Sequence, residues 1–195
     1  MRIILISGKA EAGKTLTANL IKTRLEDMNP LTKAVIIPYG DYVKSTARLV
    51  WGWNGEKDKA GRELLQRWGT DMVRENHPYF WIDTVKRLVD VITPYVQYVI
   101  IDDCRFPNEI LAWEGYSYLH IRVERPNHRN ALTDEQRCHP SETALDGFPF
   151  DFEITAENRE ELDYIINGMV INNGKSFINY FLDYFEDKER TDEYC

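Results

Sequence analysis

The chain has little cysteine and no long apolar run. Its 195 residues include only three cysteines, Cys104, Cys138 and Cys195, and none is close to another in sequence. Such spacing predicts neither a disulfide framework nor a zinc site, and it favours a reducing cytoplasmic environment. The first apolar run, at residues 2–7, is too short for the core of a secretion signal or for a membrane span. No other stretch approaches that length, so we expect no membrane partner.

Positive charge is also in short supply. Lysine and arginine number 24 against 32 acidic residues, which gives a formal net charge of -8. Proteins that bind duplex nucleic acid neutralise its phosphates with clustered cations, so this balance excludes long DNA or RNA as an expected partner. A small anionic ligand remains compatible with the composition, because local basic residues can outweigh the overall field.

Short apolar segments alternate with segments of helical periodicity along the chain. This alternation predicts an α/β fold with a parallel sheet of about five strands and helices on both faces, built as a single domain over 1–195. Residues 41–96 are expected to be mostly helical, and the polar residues 125–150 form a candidate lid. The aromatic residues after 174 are expected to form one apolar face of a terminal helix. The predicted strands are 2–7, 33–40, 98–101, 118–124 and 151–155.

A glycine-rich loop follows the first predicted strand and precedes the first predicted helix. It matches the pattern G-x-x-x-x-G-K-[ST] at every fixed position, in the strand–loop–helix context that this motif requires. Glycines let the backbone curl so that its N–H groups point at phosphate oxygens, and the helix N-terminus adds positive potential. We expect Lys14 to neutralise the terminal phosphates of ATP and Thr15 to bind Mg²⁺. The predicted phosphate-binding residues are Gly8, Lys9, Ala10, Glu11, Ala12, Gly13, Lys14 and Thr15.

An acidic pair, Asp102 and Asp103, ends the third predicted strand. Nucleotide-binding loops of this kind usually work with a carboxylate from the end of another strand, which steadies the magnesium shell. Side chains alternate along a strand, so only one of the two aspartates is expected to face the nucleotide. The sequence leaves open which one does.

The remaining pattern favours a small kinase. The chain lacks an NKxD segment, which argues against a signalling GTPase, and it lacks an LSGGQ-type segment, which argues against a transporter ATPase. Three arginines, Arg125, Arg129 and Arg137, lie in the polar segment between the fourth and fifth strands. A kinase lid closes over the transferring phosphoryl group, excludes water and supplies such arginines.

Four stretches resemble one known family. The segment IIDDCRFPNE at 100–109 is similar to the D-V-R-F-x-N-E segment of bacteriophage deoxynucleoside monophosphate kinases, which have the P-loop nucleoside monophosphate kinase fold. Cys104 replaces a usual apolar residue there, and Asp102 is an extra acid. Three other stretches also resemble segments of this family: YGDYVK at 39–44, GRELLQRWGTDMVR at 61–74, and RVERP followed by HPSE. The resemblance covers about residues 1–170.

The resemblance implies phosphorylation of a deoxynucleoside monophosphate by ATP with Mg²⁺. It implies catalytic roles for Lys14 and Arg105, supported by Asp103 and by the lid arginines Arg125 and Arg129, with Thr15 and either Asp102 or Asp103 at the metal. Trp81 or Phe80 is expected to stack on the base. Members are often dimers, so a homodimer is compatible with the resemblance, and a phage protein would act in the host cytoplasm. The implied substrate-binding residues are Asp41, Lys44, Arg62, Gln66, Arg74, Trp81 and Arg105.

Two alternatives remain at this stage. The acceptor could be another small molecule, such as a metabolite hydroxyl, for which Asp41 would serve as a base. The chain could instead bind nucleotide without catalysis, as a regulatory or assembly protein. The sequence does not name the base of the acceptor or separate deoxyribose from ribose.

Overall fold

The fold is a five-stranded parallel sheet with helices on both faces, which confirms the predicted α/β class. The computed structural model describes residues 1–168, 170–171 and 175–192. The strands are β1 (Arg2–Ser7), β2 (Ala34–Ile36), β3 (Tyr98–Cys104), β4 (Ser117–Glu124) and β5 (Phe152–Thr155), in the spatial order β2-β3-β1-β4-β5. All neighbours in this sheet are parallel. The carboxyl ends of β1, β3 and β4 therefore meet at one edge, where such folds bind their ligands.

The helices follow the predicted division of the chain. The region between β2 and β3 is mostly helical, as expected, and α3 continues without a break into a π-helical segment, Arg67–Arg74. Two short helices occupy the segment between β4 and β5, where the sequence showed no period. The helices are α1 (Lys14–Met28), α2 (Tyr39–Trp51), α3 (Lys59–Gln66), α4 (Phe80–Ile92), α5 (Pro107–Leu111), α6 (Asp134–Cys138), α7 (Pro140–Thr143), α8 (Arg159–Asp163), which continues π-helically over Tyr164–Gly168, and α9 (Phe177–Asp192).

Each face of the sheet has its own apolar core. On one face, Ile4 and Ile100 pack with Ile21 of α1. On the other, Leu5 and Ile101 pack with Val85 of α4. The central strands are therefore buried on both faces, which accounts for the continuous apolar runs in the sequence.

The terminal aromatic segment packs on the same domain as the P-loop. Phe181 and Phe185 of α9 are fully buried against the α1 side of the sheet, with ring centroids 5.1 Å apart. A short antiparallel hairpin, β6 (Val170–Ile171) with β7 (Lys175–Ser176), precedes α9 and was not predicted. The predicted tail also includes Gly174 and residues 193–195, which lie outside the described residues.

Some predicted boundaries were wrong. The second strand ends at Ile36 rather than continuing to residue 40, because Tyr39 and Gly40 already begin α2. The third strand extends through the acidic pair to Cys104. Over the part of the chain that the structure describes, no helix combines the length and apolar character needed to cross a membrane.

Candidate active site

The glycine-rich loop, residues 8–15, joins the end of β1 to the start of α1. A Cβ on Gly8 would lie 2.3 Å from the carbonyl oxygen of Val123, so no other residue fits there. Gly13 has φ 101° and Glu11 has φ 63°, both in the left-handed region. This alternation curls the backbone into a concave loop of the kind that turns successive N–H groups towards an anion. The loop therefore has a backbone shape that suits a phosphate, and its binding of ATP stays a prediction.

Lys14 is buried in the floor of this loop, with only 8% of its surface exposed. Its Nζ donates to the carbonyl oxygens of Gly8 at 2.9 Å and Lys9 at 2.7 Å. Burial and, as the next cause, repulsion from Arg105 together lower the pKa of Lys14 to about 7, against the opposing attraction of nearby carboxylates. An anion bound in the loop would restore the charged form, because opposite charges favour ionisation.

The two aspartates at the end of β3 have different environments. Asp103 accepts hydrogen bonds from the backbone N–H groups of Tyr39 at 2.8 Å and Gly40 at 2.7 Å, so its carboxylate caps α2. Burial raises the pKa of Asp103 to about 6, with repulsion from Asp102 as the next cause. Asp102 is 4% exposed, and its buried Oδ1 has no hydrogen-bond partner within the described chain.

That unpartnered oxygen is the feature that fits a metal shell. A buried carboxylate oxygen needs a cation or a donor, and Asp102 directly follows Ile101 at the edge where β3 meets the glycine-rich loop. Thr15 is exposed in the first turn of α1, directly after Lys14. Asp102 and Thr15 therefore fit Mg²⁺ better than Asp103, whose two oxygens already accept from α2. No group of three or more His, Cys, Asp or Glu side chains suited to a metal occurs among the described residues.

Arg105 and Arg74 are both held by carboxylates. The Arg105 guanidinium donates to Oε1 of Glu142 at 2.5 Å. Arg74 donates to Oε1 of Glu109 at 2.7 Å and lies 4.0 Å from the ring centroid of Phe106. Its Nε and Nη1 are buried and have no hydrogen-bond partner among the residues that the structure describes. Glu109 is 1% exposed, and its other oxygen accepts the backbone N–H of Arg105 at 2.6 Å. Glu109 thus ties the Arg105 backbone to Arg74.

The candidate lid segment, 125–150, lies directly on the glycine-rich loop. Oε2 of Glu142 accepts the backbone N–H of Ala10 at 2.9 Å. Lys9 donates to the Glu142 carbonyl oxygen at 2.6 Å and forms an ion pair with Asp146. Glu11 also contacts this segment, since it accepts from His128 at 3.1 Å. The segment therefore contacts the loop at Lys9, Ala10 and Glu11, and its role as a lid stays a prediction.

The helical region between β2 and β3 also contacts the glycine-rich loop. Arg62 of α3 donates to Glu11 at 3.3 Å. Lys44 pairs with Asp41 at 2.7 Å. Partial burial lowers the pKa of Lys57, and repulsion from Lys44 and Arg62, with a smaller contribution from Arg105, lowers it further. Lys57 therefore lies near Lys44 and Arg62, which are themselves paired with Asp41 and Glu11.

The structure corrects the role given to Trp81. Trp81 is 1% exposed, packs in the core below α4, and donates its Nε1–H to the carbonyl oxygen of Gly69 at 3.0 Å. A base cannot stack on a ring that is enclosed in this way. The neighbouring Phe80 is 47% exposed and keeps an accessible ring.

Other predicted residues lie around the cleft without a shared contact. Arg125 donates to the Glu157 carbonyl oxygen at 2.8 Å, and Arg137 donates to Asp134 at 2.6 Å. Arg129 is exposed, and Gln66 is half-buried at the end of α3. The catalytic roles of Arg125 and Arg129 remain predictions, because neither reaches the glycine-rich loop in this structure.

Sequence reasoning missed three charged residues of the site, which are Lys57, Arg122 and Glu142. Arg122 points from β4 towards the lid, where it donates to the Leu145 carbonyl oxygen at 3.2 Å. Glu142 belongs to the HPSE segment that carried part of the resemblance, but no local pattern showed that its carboxylate reaches the loop. Lys57 lies in the turn before α3. Its proximity to Lys44 and Arg105 depends on the tertiary fold.

Comparisons with known proteins show only distant likeness. No family model matches the chain, and no curated protein matches it significantly. Among solved structures, a shikimate kinase from Aquifex aeolicus is 14% identical with a TM-score of 0.45, and the alignment covers 97% of this chain and 98% of that one. An APS kinase from Mycobacterium tuberculosis, in complex with AMPPNP and APS, is 14% identical with a TM-score of 0.43, covering 85% and 95%. A sugar kinase from Janibacter is 12% identical with a TM-score of 0.46, covering 83% and 89%. At these levels the function must be argued from the site itself.

Proposed function

We propose that the protein transfers the terminal phosphoryl group of ATP to a deoxynucleoside monophosphate. One observation carries the proposal: two arginines adjoin a glycine-rich loop with a buried lysine, Arg62 through Glu11 and Arg105 through Glu142, which accepts the Ala10 N–H. Phosphoryl transfer between two nucleotides needs one anion site for the donor and another for the acceptor phosphate. The resemblance of residues 100–109 to phage deoxynucleoside monophosphate kinases supports a nucleotide as the acceptor.

The donor phosphates would bind in the concave backbone of residues 8–15. Lys14 is fixed by two carbonyl oxygens in the floor of the loop, so its ammonium needs little reorganisation to meet a phosphate oxygen. The N-terminus of α1 adds its positive potential at the same point. Mg²⁺, held through Thr15 and Asp102, would neutralise charge on the donor phosphates.

The acceptor phosphate would bind between Arg105 and the three basic residues Lys44, Lys57 and Arg62. An arginine can hold two phosphate oxygens at once, and a lysine supplies a point charge. An acceptor that is already a phosphate oxyanion needs no strong base, so catalysis here would consist of alignment and charge neutralisation. Asp41, the candidate base for a hydroxyl acceptor, is instead paired with Lys44.

The proposal is tested by ADP release from Mg-ATP in the presence of each common ribo- and deoxyribonucleoside monophosphate in turn. We expect release that depends on a deoxynucleotide. Arg105→Ala should reduce this release at least about a hundredfold while leaving the melting temperature close to that of the wild type. Release from the wild type without any dependence on a monophosphate would contradict the proposal and favour a different acceptor.

A further inference from the structure

The phosphate cradle holds a side chain of the protein itself. The carboxylate of Glu142 bridges the backbone N–H of Ala10, at 2.9 Å, and the guanidinium of Arg105, at 2.5 Å. Its side chain is 7% exposed. A backbone N–H of a glycine-rich loop and an arginine are the donors that such a site offers to a phosphoryl group. Glu142 thus makes the contacts that an anionic ligand would make.

The surroundings leave no room for a second anion at this point. The cavity between Arg105, Ser141 and the loop measures about 10 Å³, which is room for about one water molecule. A phosphoryl group is much larger than a water molecule, and it carries the same sign of charge as the carboxylate. Steric exclusion and like-charge repulsion therefore prevent Glu142 and a phosphoryl group from occupying this position together.

Further contacts hold Glu142 in place. The Glu142 carbonyl oxygen accepts from Lys9 at 2.6 Å, and Lys9 also pairs with Asp146. The Ser141 carbonyl oxygen accepts from Arg105 at 3.3 Å. His139 caps the short helix α7 by accepting the Ser141 N–H at 3.2 Å. The whole segment 139–146 is therefore docked on the loop through interactions that involve mostly charged groups.

We propose that Glu142 is an internal competitor for the phosphoryl position, so that a nucleoside triphosphate must displace it and thereby release Arg105. The inference rests on the proposed function, because it takes the glycine-rich loop to bind ATP. Displacement breaks the Glu142–Arg105 pair, and the guanidinium then becomes available to the phosphate of the second substrate. Donor binding and completion of the acceptor site are in this way coupled through one carboxylate.

The test is the dissociation constant of ATP, measured by titration calorimetry, for the wild type, Glu142→Gln and Glu142→Asp. Gln keeps the shape but removes the charge, and Asp keeps the charge but shortens the reach to the two donors. We expect Glu142→Gln to bind ATP at least about tenfold more tightly than the wild type, since a hydrogen bond to a charged group must no longer be broken. Glu142→Asp should fall between the two.

The matched control is Glu135→Gln, which removes an equal charge from an exposed position in the same segment. It should leave ATP affinity within about twofold of the wild type, because exposed charges are strongly screened. Equal ATP affinity in the wild type and Glu142→Gln would overturn the competition while leaving the proposed function standing. Weaker binding by Glu142→Gln would overturn it as well, and would make Glu142 a nucleotide ligand. If neither the wild type nor any variant binds ATP, the proposed function fails and the competition fails with it.

Discussion

The buried ammonium of Lys14 predicts that nucleotide binding takes up a proton. Burial in the loop lowers the pKa of Lys14 to about 7, so the group is largely neutral above that pH. Phosphate oxygens placed beside it favour the charged form and raise its pKa. Binding at a pH above 7 must therefore draw a proton from the buffer, whereas binding well below pH 7 meets a lysine that is already charged.

The magnitude follows from the pKa of about 7. At pH 8 such a group carries about 0.1 proton, so complete charging in the complex corresponds to an uptake of about 0.9 proton per nucleotide. At pH 6 the uptake falls to about 0.1 proton. The uptake by Lys14 therefore decreases as the pH falls from 8 to 6. A carboxylate such as Asp103, with a pKa of about 6, would also take up a proton beside a phosphate, but more at pH 6 than at pH 8.

The assay is titration calorimetry of ATP at pH 8 in two buffers with different ionisation enthalpies, because the difference in observed heat gives the number of protons exchanged. ATP is fully ionised at that pH and contributes little of its own. Lys14→Met is the control, since it keeps the length of the stem without the amine. Zero uptake by the wild type at pH 8, or an undiminished uptake by Lys14→Met, would refute the reasoning.

Three further predictions concern single residues. Gly40→Ala places a Cβ 2.7 Å from Oδ2 of Asp103, so it should lower the free energy of unfolding, measured by urea melts, by about 1–3 kcal/mol. In an unobstructed helix, alanine would instead stabilise the protein relative to glycine. A stabilised variant would therefore show that Asp103 does not cap α2. Lys57→Ala should raise the KM of the acceptor about tenfold and leave ATP affinity unchanged. Lys59→Ala, which removes an exposed cation two residues away, should change neither quantity. Equal effects of the two substitutions would show that Lys57 is not part of the acceptor site. Trp81→Phe should lower the free energy of unfolding, measured by urea melts, by about 1–3 kcal/mol without altering the KM of either nucleotide. A tenfold higher KM in a protein of unchanged stability would show that Trp81 does bind the substrate.

Features that depend on adjacent residues were predictable from the sequence. The apolar run, the glycines and Lys14-Thr15 define the strand, the loop and the helix within fourteen consecutive residues. Their spacing predicts a curled loop, although the tight fit of Gly8 also depends on Val123 in β4. The α/β fold followed in the same way, because the alternation of apolar and amphipathic segments is a local property of the chain.

The acidic pair shows where local reasoning stops. Simple alternation along β3 predicts opposite directions for Asp102 and Asp103, but the register with β1 shifts between Leu5 and Ser7. The shift leaves Ile101 and Cys104, three residues apart, in the same core. Only the tertiary structure shows that Asp103 caps α2 and that Asp102 keeps an unpartnered oxygen.

The contacts of Glu142 and the burial of Trp81 could not be inferred for the same reason. Glu142 is 132 residues away from Ala10 in the chain, and no periodic pattern links the two. Phe80 and Trp81 are consecutive aromatics at the start of α4, and the sequence does not say which one faces the core. The hydrogen bond from Trp81 to the carbonyl oxygen of Gly69 shows that Trp81 is the one that faces the core.

The central claim is that a phosphoryl group passes from ATP to a nucleoside monophosphate in this cleft. The most direct measurement uses ATP labelled radioactively at its terminal phosphate and detects transfer of the label to a deoxynucleoside monophosphate. Lys14→Met is the inactive control. The account predicts that the label appears in the deoxynucleoside diphosphate with the wild type and not with Lys14→Met. Label that remains in ATP, or that appears only as inorganic phosphate with every acceptor tried, would contradict it.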